Sequence, residues 1–253
     1  MQPIAGTSSR LSVIIPAQNE AQRIGQVLDR VFQVSPWEVI VVDGHSIDRT
    51  AYIAKAADAT VITSEPSRAR QMNAGAAAAS GDVLLFLHAD TLLPPHFDRH
   101  VFDVLGRPGV VAGAFALRIN GSPRSLRLIE KAVEWRSRVW QMPYGDQAIF
   151  LTAGMFDRVG GYPDLPVMED FELVRGLRRL GRIEIASAPV RTSARRWLAR
   201  GIWRTTLLNQ ACIAAHLLGV RPARIARWRL MGRERRNEPS KLSFDLSSKK
   251  LRG

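Results

Sequence analysis

Along the first ninety residues, short apolar runs alternate with longer stretches of helical period. The runs are "LSVIIP" (11–16), "EVIVVDG" (38–44), "ATVITS" (59–64) and "DVLLFLHAD" (82–90), and residues 20–33, 48–57 and 67–79 separate them. A strand that reads as one unbroken apolar run must be covered on both faces, and connectors of helical length supply that cover. The pattern predicts an α/β fold with a mainly parallel central sheet flanked by helices. Further on come "GVVAGAFALRI" (109–119), a long amphipathic segment at 125–141, "QAIFLTAGMFDRVGGYP" (147–163), a helix opening near "MEDFELVRGLRRLG" (168–181) and "RIEIASAPVR" (182–191). Such sheets bind ligands beyond the carboxyl ends of their strands. Pro16 to Glu20, Asp43 to Asp48 and His88 to Thr91 fall there, so an acid such as Asp90 at the end of a buried strand has a ligand to meet.

Composition narrows the picture. The chain has 253 residues with 46% hydrophobic content, enough for one large α/β domain with an appendage. Cys212 is the single cysteine, which excludes internal disulfides and cysteine-rich zinc sites. The N-terminal segment lacks a basic stretch followed by an apolar leader, and no window has the apolar length of a spanning helix, so a cytoplasmic protein is expected. Charge is distributed unevenly. Residues 1–190 hold 20 basic and 20 acidic side chains, whereas residues 191–253 hold 16 basic and 3 acidic, so the whole net charge of +13 sits in the last quarter. This sets residues 1–192 apart as a catalytic domain and 193–253 as a basic, amphipathic helical C-terminal extension.

The chemistry follows from what is missing as well as from what is present. Neither a GxGxxG nor a GxxxxGK[ST] loop occurs, so phosphates are not cradled by a glycine loop of the dinucleotide or P-loop kind. A diphosphate held without such a loop needs charge neutralisation, and Mg2+ or Mn2+ bound by one carboxylate plus phosphate oxygens provides it. Asp90 is the candidate metal ligand.

Four segments in order, "VIIPAQNE" (13–20), "VIVVDGHSIDRT" (39–50), "RARQMNAGAAAASGDVLLFLHADT" (68–91) and "MEDFEL" (168–173), resemble the inverting family 2 glycosyltransferases of GT-A fold. The resemblance covers roughly residues 11–190 and is similar within the family to a small bacterial group with HADT and YGDQ signatures. It implies sugar transfer from a nucleotide diphosphate sugar, expected to be UDP-linked, with Mg2+ or Mn2+. On that basis Pro16, Ala17 and Glu20 form the first nucleotide-contacting turn, and Asp43 reads the base. Arg68, Arg70 and Asn73 contact base or pyrophosphate. His88, Ala89 and Asp90 stand at the donor, with His88 where the family has the first Asp of its D-x-D and nearer the ribose than the metal. Asp48 is read as a helix cap and Thr91 as a turn residue.

An inverting transfer needs one carboxylate to take the acceptor proton. The Glu169–Asp170 pair at a helix start supplies it, Asp170 as the base and Glu169 as its support. Asp146 and Gln147, in the loop "PYGDQAIF", are expected at the acceptor or donor sugar. "SARRW" (193–197) matches only the end of the Q-x-x-R-W motif of processive relatives, leaving Arg196 and Trp197 as acceptor-side candidates. The C-terminal quarter predicts peripheral contact with an anionic membrane at the inner face of the cell membrane, where a lipid-linked acceptor would be presented: "GIWRTTLLNQACIAAHLLGV" (201–220) suits either packing against the catalytic domain or lying in an interface, and in 219–236 arginines interleave with Ile225, Trp228 and Leu230. Nucleic acid would match the same charges but suits a sugar transferase less. Two other readings stay open, a sugar-phosphate nucleotidyltransferase and a non-catalytic membrane- or nucleic-acid-binding protein.

Overall fold

The computed structural model describes residues 9–234, and side chains for all of these except Arg196, Arg200 and 229–234. The first four apolar runs become β1 (Leu11–Ala17), β2 (Glu38–Asp43), β3 (Thr60–Thr63) and β4 (Val83–Phe86). β5 (Thr91–Leu92), β6 (Val110–Asn120), β7 (Phe150–Thr152) and β8 (Arg182–Ser193) complete one eight-stranded sheet in the order β3-β2-β1-β4-β7-β6-β8-β5. β1, β2, β3 and β4 pair in parallel, as do β6 and β8, while β7 runs antiparallel to both neighbours and β5 to β8.

Side chains of each strand alternate between two cores. Val13, Ile15, Val39, Val41 and Leu85 enter one, and Ile14, Ile40, Val42, Leu84 and Phe86 enter the other. This is why the runs are apolar without a period of two. The first core is closed by α1 (Ile24–Val31), α4 (Phe97–Leu105) and α5 (Arg124–Val139), with Ala54 of α2 (Thr50–Ala56). The second is closed by α3 (Arg68–Ala78), α6 (Ala153–Val159) and α7 (Glu169–Leu177). Burying each of these Val, Ile or Leu side chains stabilises the fold by roughly 1.5–3 kcal/mol. Gly75 lets α3 lie flat on the sheet, since a Cβ there would run into Ile14 and stand 3.0 Å from Val42.

The run at 82–90 is not one strand. β4 ends at Phe86; the Leu87 N–H still bonds Ile14 O (2.9 Å), and then the His88 carbonyl accepts the Thr91 N–H (3.0 Å), closing a turn. Thr91 consequently sits in a strand, fully buried, with its hydroxyl 3.1 Å from that of Thr192. Asp90 therefore lies in a turn that carries the chain from one part of the sheet to another.

After β8 come α8 (Arg195–Arg200), α9 (Ile202–Leu217) and α10 (Pro222–Glu234). They do not stand off from the rest. Trp197 is buried in the first core, Cys212, Ala215 and Ile225 share a small cluster with Val167, and His216 Nε2 meets Glu172 Oε1 of α7 at 2.7 Å. Among the described residues no helix is long and apolar enough to cross a membrane.

Candidate active site

At the carboxyl ends of β1 and β2 two turns hold each other. The Asn19 and Ala21 N–H groups donate to Ser46 Oγ (2.9 Å) and Asp48 Oδ2 (3.1 Å), and the Ile47 N–H donates to Asn19 Oδ1 (2.9 Å). Asp48 also accepts the Thr50 N–H and hydroxyl. Asp48 was expected to cap α2; it braces the Thr50 end of the helix from one residue ahead of the N-cap position, which is Arg49. Gln71 of α3, buried, donates its amide to the carbonyls of Ala17 (3.0 Å) and Val42 (2.8 Å), fixing both strand ends. Asp43 is buried behind these turns; Oδ2 accepts the Ser46 N–H (3.0 Å), while Oδ1 has no hydrogen-bond partner among the described residues.

Four carboxylates converge on Arg68 at the start of α3. Burial opposes its charge, but Glu169, Asp170, Asp90 and Asp146 together hold its pKa above the ordinary arginine value. Glu169 is the nearest, with Oε1 3.3 Å from Nη1. Arg68, Asp146, Glu169 and Asp170 line, with His88, a cavity of about 150 Å3, and Asp90 lies outside its wall but near enough to act on Arg68.

Asp170 is reached through a strained turn. Met168 lies in the left-handed region (φ 71), a conformation costing a non-glycine residue about 1–3 kcal/mol, and it swings the start of α7 into the cavity wall. Asp170 Oδ2 accepts the Gly145 N–H (3.2 Å), and Oδ1 is buried without a partner among the described residues. Burial first, then the charge of Glu169, raises the Asp170 pKa to about 7, with Arg68 and the Gly145 N–H pulling the other way. Residue 145 has to be glycine: a Cβ there would stand 2.7 Å from the Asp170 carboxyl carbon.

Not every residue expected at substrate faces the cavity. Gln147 is fully buried, its Nε2 donating to Phe115 O (2.9 Å) and its Oε1 accepting from Ser137 Oγ, Arg136 Nη2 and Tyr144 N. Fully buried and engaged in pinning the 144–147 turn to α5 and β6, it does not reach the cavity wall. Asn73 clamps the Tyr162 backbone, donating to its carbonyl (2.7 Å) and accepting its N–H (2.9 Å). Arg70 forms a two-pronged, exposed pair with Asp164, away from the cavity wall. Glu20 has both oxygens engaged, by Arg23 (3.1 Å) and Arg195 (3.0 Å), and so ties α8 to the first turn. Pro16 and Ala17 lie at the strand edge above Gln71, and Ala89 is packed into the first core beneath Asp90.

The remaining wall comes from the C-terminal helices. Trp197, Arg204, Thr205, Leu208, Asn209 and Ile213 face Tyr144, Asp146 and Asp170 across the cavity. The Arg196 side chain lies outside the described residues.

With this geometry in view, comparison with known proteins is decisive for the family. The family described as glycosyl transferase family 2 matches residues 12–162, more than half of the chain. The chain belongs to this family. A mannosyltransferase from Pyrobaculum calidifontis, solved in complex with GDP-Man and Mn2+, superimposes with a TM-score of 0.59 at 22% identity over 75% of this chain and 58% of that one. Glucosyl-3-phosphoglycerate synthase from Mycobacterium tuberculosis, solved with Mn2+, UDP-Glc and phosphoglyceric acid, superimposes at 0.55 and 23% identity over 73% of this chain and 72% of its own. These likenesses establish the GT-A fold. A 4,4'-diaponeurosporenoate glycosyltransferase of Staphylococcus aureus is 45% identical over 53 residues, which span 21% of this chain and 14% of that relative.

The family match ends at residue 162, before Glu169 and Asp170 and before α8 and α9. Within this family member, Gly145, Gln71 and the α9 residues of the wall escaped sequence reading. Gly145 had a signal, a glycine beside an acid in an otherwise buried loop. Thr205 and Asn209 had none, because helix-borne polar residues look the same whether they face solvent or a cavity.

Proposed function

We propose that the protein transfers a sugar, with inversion, from a nucleotide diphosphate sugar to an acceptor hydroxyl, with Asp170 as the general base. One observation carries this reading: a carboxylate oriented through Oδ2 by the Gly145 N–H, with a buried, partnerless Oδ1, on a cavity that also holds Arg68 and His88. An oxygen with no protein partner and a pKa near neutrality suits proton abstraction at pH 7.

The acceptor hydroxyl gives its proton to Asp170 Oδ1 as its oxygen attacks the anomeric carbon. The bond from that carbon to the diphosphate breaks on the opposite face, and nucleoside diphosphate leaves with the electron pair. Arg68 is the cation positioned to meet the departing charge, after exchanging Glu169 for phosphate oxygen. Asp43 Oδ1 is free to accept an N–H from the base, which favours a uracil donor. Residues 1–192 would thus bind the donor and carry the base, while 193–234 enclose the acceptor.

Among the described residues no three or more His, Cys, Asp or Glu side chains gather with metal-binding geometry. That donor set fits a cation shared with substrate: Asp90 would contribute one hard oxygen and the diphosphate the others, as Mg2+ and Mn2+ sites on nucleotides allow. When bound, such an ion neutralises diphosphate charge. The structural relatives solved with Mn2+ and nucleotide sugars support this assignment.

Thermal-shift screening of nucleotide sugars with Mn2+ identifies the donor, because a ligand selective for the folded state raises Tm. Product analysis then tests the reaction. Nucleoside diphosphate and an inverted glycoside are expected; pyrophosphate as product would replace the reading with nucleotidyl transfer. In Asp90→Asn the Mn2+-dependent part of the donor-induced Tm rise should vanish, and its full retention would move the metal elsewhere.

A further inference from the structure

Helix α9 is apolar on more than the side that packs. Its inner surface supplies Leu208 and Ile213 to the cavity and buries Cys212 and Ala215 against Val167 and Ile225. Its outer surface carries Trp203, Leu207, Ala211, Ala214 and Leu218, at steps of four, four, three and four residues, all exposed, with Gln210 as the polar residue among them. Trp203 is 60%, Leu207 68% and Leu218 85% exposed. A stripe with this spacing lies along one face of a helix for roughly 22 Å. Exposed Leu198 of α8 and Trp228 of α10 flank it.

Charge identifies what this face meets. From residue 185 to residue 233 the chain contains ten arginines and no acidic residue. Arg221, between the two helices, and Arg224 and Arg227 of α10 are exposed. A twofold contact between two copies of this face would set arginines against arginines. A bilayer with anionic headgroups matches both features, because tryptophan and aliphatic side chains enter the interfacial layer while arginines pair with phosphates.

We infer that α9 docks on an anionic lipid surface through Trp203, Leu207 and Leu218, with the cavity wall on its opposite side left to receive an acceptor that has an apolar body. The acceptor part of this inference rests on the glycosyl-transfer reading above; the docking part does not. It also corrects the sequence-based view that Ile225 inserts into lipid, because Ile225 is fully buried beneath α9. Of the predicted basic segment 219–236, residues 235 and 236 and the side chains of 229–234, Leu230 among them, lie outside the described residues.

The test is sedimentation of the full chain with vesicles of phosphatidylcholine alone or mixed with phosphatidylglycerol, beside a Trp203→Ser/Leu207→Ser variant that retains every arginine. Expected are binding to the mixed vesicles at low salt, loss of binding as salt rises, and a reduction of roughly tenfold or more in the variant. An unchanged Tm and an unchanged Mn2+- and UDP-dependent Tm shift show that the variant is folded with an intact donor site, since neither substituted residue lines the cavity. Absence of wild-type binding to mixed vesicles at low salt overturns the inference. So does equal binding by variant and wild type, which would give the contact to charge alone. A wild-type dimer in sedimentation velocity that the variant abolishes overturns it in favour of a second copy. Vesicle binding without sugar transfer would preserve the docking and defeat the transferase reading instead.

Discussion

The turns after β1 and β2 and the cavity beside α7 are built on contrasting principles. At the proposed donor end, most polar side chains satisfy one another: Asn19, Ser46, Asp48 and Gln71 lock the turns after β1 and β2 through backbone groups, and Asp43 Oδ1 is left open behind them. At the proposed acceptor end, burial leaves Asp170 Oδ1 without a partner among the described residues, beside a left-handed Met168. A donor common to a family can be met by a preformed frame. Chemistry on a particular acceptor needs groups held in a state that substrate, not protein, completes. The comparison predicts that variants at the acceptor end damage turnover and spare stability, and that the reverse holds at the donor frame.

The strongest way to break this contrast is Asp170→Asn. Turnover should fall by about 10²–10⁴, the contribution typical of a positioned general base, with donor affinity within a few-fold of wild type. Comparable losses in donor affinity and turnover would make Asp170 part of the donor frame. Gly145→Ala should follow with a loss on the order of 10², since the added Cβ displaces the Asp170 carboxylate and an error of about 1 Å near the chemistry has that consequence. The discriminating readout is the pH–rate profile, which should shift as the carboxylate loses the Gly145 N–H; a lowered Tm with an unshifted profile would reduce Gly145 to a packing role.

How far the sequence reveals these two ends differs for a physical reason. Runs at 11–16 and 38–44 announce strands because two cores demand apolar side chains on both faces, and the acids that follow them are conspicuous. The run at 82–90 misleads, since Leu87 and Ala89 are as buried as any strand residue although the strand has stopped at Phe86. Burial sets hydrophobicity; hydrogen bonding sets the element. Gln147 and Asn73 were expected at substrate because a polar amide near a motif looks available, and only the three-dimensional structure shows both bound to backbone groups away from the cavity wall. Charge at the C-terminus suggested a separate module, yet charge reports only the outward face. The inner faces of α8 and α9, which close the cavity with Trp197, Thr205, Leu208, Asn209 and Ile213, carry only Arg204 of it.

A smaller effect sharpens the same contrast through pH. The Asp170 pKa is about 7 in the folded chain and close to the ordinary carboxylate value of about 4 when unfolded. A raised folded pKa means that the folded state keeps the proton longer. Its stabilisation is complete below about pH 4 and is lost as pH rises through about 7. Turnover should rise over the upper part of that window, as the base ionises. Asp170→Asn, neutral at every pH, should melt near the wild-type temperature at pH 4 and a few degrees above it at pH 8, roughly what a gain of one or two kcal/mol gives a chain of this size. Melting curves of both proteins at the two pH values check it; a gap that does not widen with pH would show that Asp170 is not a strained carboxylate.

The smallest expected effect falls on Arg70, where sequence and structure give different accounts. By position it was expected to grip phosphate, yet its guanidinium faces Asp164 with three contacts of 2.8–3.1 Å on the exposed surface. Solvent screening leaves such a pair little net influence on folding. Arg70→Ala should therefore leave Tm, turnover and the Mn2+-dependent donor shift unchanged, while Arg68→Ala, at the centre of the four carboxylates, should weaken donor binding. If Arg70→Ala weakens the donor as much as Arg68→Ala does, the pair with Asp164 opens on binding. The donor end would then contain a second group, after Asp43, that substrate completes, and the division between the two ends would lie nearer the sugar than the turns at Asp43 and Asp48.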